Sequence, residues 1–378
     1  MFLTIPHFFL SSSIIWTLTY FFFYLYVIFF FSVLLYLLAN IREYLNFNNF
    51  SNFNLFSYLT GFDLMGFNLL PLLLIILLNW SWTGPTTMAW FGHLIFSNLQ
   101  FKINYLFFFF FFLILIAYFS VFYYSSAEIY DYIITIYSFF FWLNLLFFSN
   151  NIFTFIFFIE VLSTLISLLF ITSTFSSLYF YNNISLTLNN YFNNSTPFAF
   201  LQTLLFFFWI SLVSSLNLFV FLILLYIKFL TFNWFLLEAI FSYVILNQSF
   251  KAIFYISLTW FNFMFCIFLK CGVVPFYFWK PTFFKGLSLH VLMFYILIFY
   301  FFLFNYLIFF FLIYLNDLFY FNTLINFIIL MFGLIMLLFI ILESFYIKAF
   351  LAISSIINTF FVFLAMSSFN IVDLTLVL

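Results

Sequence analysis

The chain is a succession of long apolar stretches separated by short polar ones. Ten stretches are long enough to cross a membrane, roughly 14–39, 64–80, 104–124, 130–149, 151–173, 198–226, 252–280, 286–315, 321–343 and 347–368, because a spanning helix needs about 20 mostly apolar residues. A membrane β-barrel would need strands of alternating polarity, and the run Phe107–Phe112 is apolar without a break. Backbone groups cannot go unpaired in lipid, so helices are the reading that remains. The interruptions are Asn-rich, at Asn46–Asn54 and Tyr181–Asn194, and Pro197 after the second is placed to begin a helix. Segment 229–247 is apolar yet holds Asn233, Trp234 and Glu238, so an interfacial or re-entrant helix is expected there. The stretch 252–280 contains Gly272 and Pro275. Proline lacks an amide donor and clashes with the preceding turn, so this helix is expected to be broken. The expected fold is all-α, a polytopic transmembrane helix bundle of ten spans with one discontinuous helix near Gly272–Pro275.

Composition agrees with this picture. Only 4% of residues are charged and 69% are hydrophobic, with a mean hydropathy of +1.31. A soluble domain carries about 25% charged residues, so this chain lacks a coat that would keep it in water. The 79 Phe and 26 Tyr pack well in lipid and at its interfaces. We read the Phe excess as the codon bias of an AT-rich, organelle-type genome rather than as a sign of mechanism. The net charge of -1 gives no electrostatic footprint for nucleic acid. Cys266 and Cys271 form neither a zinc pattern nor a disulfide framework. His7, His93 and His290 include no pair spaced for haem or copper, and no phosphate-binding Gly loop occurs. No cofactor is therefore expected on this chain. Met1–Thr19 has no Lys or Arg, which fits neither a secretory signal nor a transit peptide, so synthesis in the compartment of use is expected.

The ionisable residues at membrane depth carry the functional information, since each costs about 2.5–3.5 kcal/mol at a helix centre. Glu160 lies in the middle of the apolar run after Asn151. Its functional reading is a carboxyl that switches protonation state beside a cation; the bland reading is a Glu paired for packing. Lys270 lies immediately before the break. Broken helices in membranes line cavities and hold ion sites, so a lysine there can relay protons; the bland reading is a Lys that snorkels to the interface. Arg42, Glu43, Lys102, Glu128, Asp131, Lys280, Lys285 and Asp317 flank spans and are expected to be interfacial. Glu343 and Lys348 lie at a helix junction and are read as helix-ending residues, whereas Glu238 and Lys251 are left unassigned.

One stretch resembles a known signature. Lys270, Gly272, Pro275-Phe276-Tyr277-Phe278-Trp279, Pro281 and Gly286-Leu287 are similar to the signature of chain 2 of NADH:ubiquinone oxidoreductase, an antiporter-like membrane subunit of respiratory complex I. Lys348-Ala349-Phe350-Leu351-Ala352-Ile353-Ser354-Ser355 and the Glu-bearing stretch Asn150–Leu169 resemble two further family segments. The resemblance covers about 130–370; the sister chains 4 and 5 fit less well after the Trp. It implies an antiporter-like fold of inverted five-helix repeats. On that pattern 1–129 would hold three preceding helices, 130–315 the first repeat with an insertion near 180–250, and 316–378 two helices of a second repeat. It implies proton transfer through Glu160 and Lys270, driven by distant quinone reduction. NADH, FMN, iron–sulfur clusters and ubiquinone would sit on other subunits. The partners implied are other membrane-arm subunits and lipids, and the place is the mitochondrial inner membrane, with the gene in the organelle.

The sequence also departs from the family. A second family Lys is replaced by Tyr300, a weak acid that can carry a water wire but not a stable cation. His290 is a tentative substitute, with a hydrogen-bonded core His as the bland reading. The family His after the Ser pair is Asn358, and the Lys of the sixth family helix is missing near Phe198–Gln202. The family continues beyond Leu378 with helices that include a second broken one, so a separate polypeptide supplying them is expected, with a truncated version of the subunit as the alternative. The competing readings are a stand-alone secondary transporter of ions or solutes and a non-catalytic membrane scaffold.

Overall fold

The computed structural model describes residues 87–96, 128–184, 196–246, 250–287, 289–296, 303, 323–341 and 347–367. The expected spans 14–39, 64–80 and 104–124, and Tyr300, lie outside these residues. The described residues form a short hairpin, β1 (Thr87–Ala89) and β2 (Leu94–Phe96), followed by α1 (Glu128–Phe147), α2 (Ile152–Ile184), α3 (Thr196–Phe229), α4 (Trp234–Leu246), α5 (Phe250–Cys271), α6 (Trp279–Gly286), α7 (Leu289–Phe294), α8 (Thr323–Ile341) and α9 (Ile347–Ser367). The protein is thus mostly helical. Among the described residues, four helical segments are long and apolar enough to cross a membrane: Ile152–Thr172, Gln202–Phe229, Lys251–Cys271 and Ile347–Leu364.

Two compact units can be distinguished, and their described parts are 87–96 with 128–150 and 171–179, and 151–170 with the residues from 180 onward. In the first, β1 and β2 pair antiparallel, with Met88 opposite Ile95. The sequence reading contained no strand, so this hairpin corrects a purely helical expectation. The turn uses three successive left-handed residues, Trp90, Phe91 and Gly92. The outer edge of β2 is closed by the residues that follow α1. Ile95 N–H donates to the Phe148 carbonyl (2.8 Å), Asn150 N–H to His93 (2.9 Å), and Asn150 Nδ2 to the Gly92 carbonyl (2.8 Å).

In the second unit, two helix starts are pinned side by side. Ile152 N–H donates to the Phe232 carbonyl (3.1 Å), and Asn151 and Asn233 pair as an isolated bridge. Asn233 also caps α4, its Oδ1 accepting from Phe235 N–H (3.3 Å), which satisfies one of the donors that a helix start leaves open. Buried Trp234 then packs edge-on to Phe155 of α2. α4 has 13 residues, roughly 20 Å at 1.5 Å per residue, short of the ~30 Å hydrocarbon core. α2 continues to Ile184, past the break expected from Tyr181. Pro197 stands in the first turn of α3, where its missing N–H costs nothing.

α3 packs along α5 and α6, α4 rests on α5, and α9 lies against both α6 and α8. Without water, a hydroxyl in a membrane helix returns its hydrogen to its own helix. Ser163 bonds the Glu160 carbonyl (2.7 Å), Ser214 that of Ser211 (2.8 Å) and Thr259 that of Ile256 (2.9 Å). Other polar groups join helices: Tyr255 Oη donates to the Leu224 carbonyl (2.9 Å) and Asn262 Nδ2 to that of Asn217 (3.5 Å), both from α5 to α3.

The break between α5 and α6 is built by Gly272. Its φ is +59°, the left-handed conformation that suits glycine at a helix end. Gly272 N–H then reaches back to the Leu269 carbonyl (3.3 Å) and Val273 N–H to that of Phe268 (2.9 Å). The side chain of Trp279, at the start of α6, donates a further bond from Nε1 to the Leu269 carbonyl (3.1 Å). A Cβ on Gly272 would meet Lys280 Cδ at 3.0 Å and Trp279 Cζ2 at 3.2 Å. Between the helices, Val274 is buried against Leu337 of α8 and Ile356 of α9, and Gly333 of α8 leaves it room.

Gly272→Ala is expected to destabilise by more than the ~1–2 kcal/mol of a left-handed non-glycine residue, because Trp279 and Lys280 must also move. Gly92 also has a positive φ, +85°, but its Cβ would meet nothing within 4 Å. Thermal unfolding of the detergent-solubilised protein should therefore show a larger fall for Gly272→Ala than for Gly92→Ala. An equal or smaller fall would mean that the break is not held by this contact.

Candidate functional site: an ion pair at a helix break

Glu160 stands in the spanning part of α2 and Lys270 in the last turn of α5. Their side chains meet. Lys270 Nζ donates to Glu160 Oε1 at 2.5 Å, with 13% of the Lys side chain and 22% of the Glu side chain exposed. Their neighbours along the chain are apolar and buried: Phe158 and Ile159 beside Glu160, and Phe268 and Leu269 beside Lys270. Two conditions make the cation tolerable here. The carboxylate neutralises it, and the last turn of α5 presents the negative end of a helix dipole. Cys266, one turn earlier on α5 and fully buried, lies within electrostatic reach of both charges.

Such a pair holds a proton conditionally. While the carboxylate is in contact, the ammonium is stable; if the two part, a buried ammonium loses its compensation and can release its proton. The break adjoins Lys270 directly, so a movement of the α5–α6 junction would act on this contact.

The other sequence candidates are not brought to the pair. His290 lies on α7, with its side chain outside the described residues. Ser354 and Ser355 return their hydroxyls to α9's own carbonyls at Leu351 (2.9 Å) and Ala352 (2.7 Å), and Asn358 is exposed. Lys348 has a role that its position near the start of α9 did not reveal. Its Nζ donates to the Leu287 carbonyl (2.7 Å) and lies 3.5 Å from that of Lys285. It therefore closes the carbonyl end of α6 rather than ending its own helix.

Lys280 corrects an expectation. The sequence makes it interfacial like Lys285; Lys285 is exposed, but Lys280 is fully buried. The buried face of α6 is Trp279, Lys280, Phe283 and Phe284, and this spacing is legible in the sequence as a helix face. Lys280 was overlooked because a charge beside a span is ordinarily a solvated one. Phe283 anchors the face among Phe170, Phe207, Trp279 and Tyr295, with ring centroids 4.8–5.5 Å away. Among the described residues no group of three His, Cys, Asp or Glu side chains gathers as metal ligands would.

A double-mutant cycle on Glu160→Gln and Lys270→Met should give a coupling energy within about 0.5–3 kcal/mol. Each single variant leaves one charge without its partner, so each should unfold more readily than the double variant. Additive losses would mean that the contact contributes nothing to the fold. No protein-family model matches the chain, and no curated protein matches it significantly.

Proposed function

We propose that this chain is a proton-translocating subunit of the membrane arm of NADH:ubiquinone oxidoreductase, working through Glu160 and Lys270. The observation that carries the reading is the ion pair between α2 and α5, placed beside a helix break and within a helical, charge-poor chain. The signature-like run from Lys270 to Leu287 supports the choice of enzyme. The redox step takes place on other subunits, and this chain carries no redox centre of its own. The reading places the protein in the mitochondrial inner membrane, among other membrane-arm subunits.

The proposed cycle has two states. In the closed state the Glu160 carboxylate holds the Lys270 ammonium. Quinone reduction elsewhere shifts the packed helices and separates the pair. Lys270 then loses a proton toward one side of the membrane, and closure of the pair favours its reloading from the other. Coupling of this kind needs an element with two discrete arrangements that both sites bias; the α5–α6 junction is that element in the proposal.

The test uses the native membrane assembly reconstituted in vesicles. Glu160→Gln and Lys270→Met should each lower NADH-driven proton uptake by roughly tenfold or more, since a positioned proton-transfer group contributes about 10²–10⁴-fold, and quinone reduction in leaky vesicles should persist. Undiminished proton uptake in both variants would remove the relay. Absence of this chain from the purified assembly, together with ion transport by the chain alone, would favour a stand-alone secondary transporter.

A further inference from the structure

We propose that Lys228 and Lys251 hold the phosphate of an anionic phospholipid at one membrane face, with an acyl chain of that lipid laid along the exposed side of α5. α3 and α5 run antiparallel, since Tyr255 meets Leu224 and, further along, Asn262 meets Asn217. The end of the apolar segment Gln202–Phe229 therefore adjoins the start of Lys251–Cys271. Lys228 stands in the last turn of α3, and Lys251 opens the second segment. Both lysines thus come to the same face of the membrane.

Tyr255 lies between them. Its hydroxyl donates to the Leu224 carbonyl (2.9 Å), which fixes the ring against α3. Lys228 Nζ is 5.1 Å from the centroid of that ring, within the reach of a cation–π contact. Lys251 precedes Tyr255 by one helical turn, so the two are neighbours on the surface of α5. Both lysines are exposed, and among the described residues neither forms an ion pair. Two cations at one end of a helix pair call for an anion. A headgroup that carries its own ammonium would add a third cation, whereas an anionic headgroup would not.

The surface next to Lys251 fits the rest of such a lipid. Phe254, Leu258 and Phe261 follow it at helical spacing and are 61%, 51% and 48% exposed. From position 251 to position 261 the helix rises roughly 15 Å, which is half of the ~30 Å hydrocarbon core. The stripe therefore has the depth of one leaflet. A partner helix would favour small residues at the contact, but this stripe is made of large side chains. The hydroxyl nearest to it, on Ser257, is returned to the Phe254 carbonyl (2.9 Å) and offers a partner nothing. Large apolar side chains below a pair of cations suit an acyl chain below a phosphate.

The experiment uses the protein purified with its accompanying subunits and reconstituted in phosphatidylcholine vesicles. These contain a trace of photoreactive lipid with a diazirine in one acyl chain, either phosphatidylglycerol or phosphatidylcholine. After irradiation, labelled positions are mapped by mass spectrometry. Phosphatidylglycerol should label Phe254, Leu258 and Phe261 more than phosphatidylcholine does. Lys228→Gln and Lys251→Gln should each lower that preference roughly fivefold, the effect of one basic residue beside an anionic lipid surface. In the unmodified protein the preference should vanish at about 1 M salt, where screening acts over ~3 Å, so the test does not depend on assembly of the variants. Equal labelling by the two lipids, or a preference that persists in both variants or at high salt, would overturn the inference. Labelling by neither lipid would mean that a partner subunit covers the stripe, and would overturn it as well. None of these outcomes touches the proton relay.

Discussion

Hydrocarbon offers no hydrogen-bond partner, so every helix end at membrane depth has to be closed by the protein itself. The break after Cys271 ends a helix long and apolar enough to cross a membrane, and there the constraint is met by specific donors. The carbonyls of Phe268 and Leu269 would be stranded if α5 simply stopped. Gly272 turns the chain so that its own amide and that of Val273 bend back to them, and Trp279 supplies a third donor from its indole. At the other end of α6, the Leu287 carbonyl receives the ammonium of Lys348. The broken helix is held here by the donors that the carbonyls of Phe268, Leu269 and Leu287 receive.

The same economy of polar groups makes the Glu160–Lys270 contact conspicuous. Hydroxyls along α2, α3 and α5 are satisfied within their own helices, so they need no partner from elsewhere. A carboxylate and an ammonium cannot be satisfied in that way. They have to find each other, and they do so 110 positions apart in the chain. A contact of this kind ties α2 to the end of α5, and it also makes the fit of the two helices sensitive to protonation.

Aromatic residues provide the frame that holds these groups in register. Phe207 and Phe283 stack with ring centroids 5.0 Å apart, and Phe268 meets Phe363 edge-on at 4.9 Å. Large rings fill the space around a helix as short as α6, which has only eight residues and could not hold its position by backbone bonding alone. The abundance of Phe, read at first as a genomic bias, is thus put to structural use around the break.

Much of this was legible in the sequence, because helix formation in lipid depends on local features. An apolar run satisfies its backbone within four residues, so the apolar helices α2, α3, α5, α8 and α9, and the interruption at Gly272 and Pro275, follow from neighbours along the chain. The cost of burying charge likewise singled out Glu160 and Lys270 before any partner was known. The chain by itself did not decide who those partners would be. Lys280 and Lys285 look alike in sequence, yet one is enclosed and the other exposed, since they point to opposite sides of one helix and only one side is covered. The hairpin at 87–96 is invisible for a related reason: its β2 edge and turn are completed by residues 148–150, more than fifty positions away. Helices are fixed by bonds between near neighbours, whereas the fate of each charge is fixed by which helix faces meet, and that is settled only when the whole bundle packs.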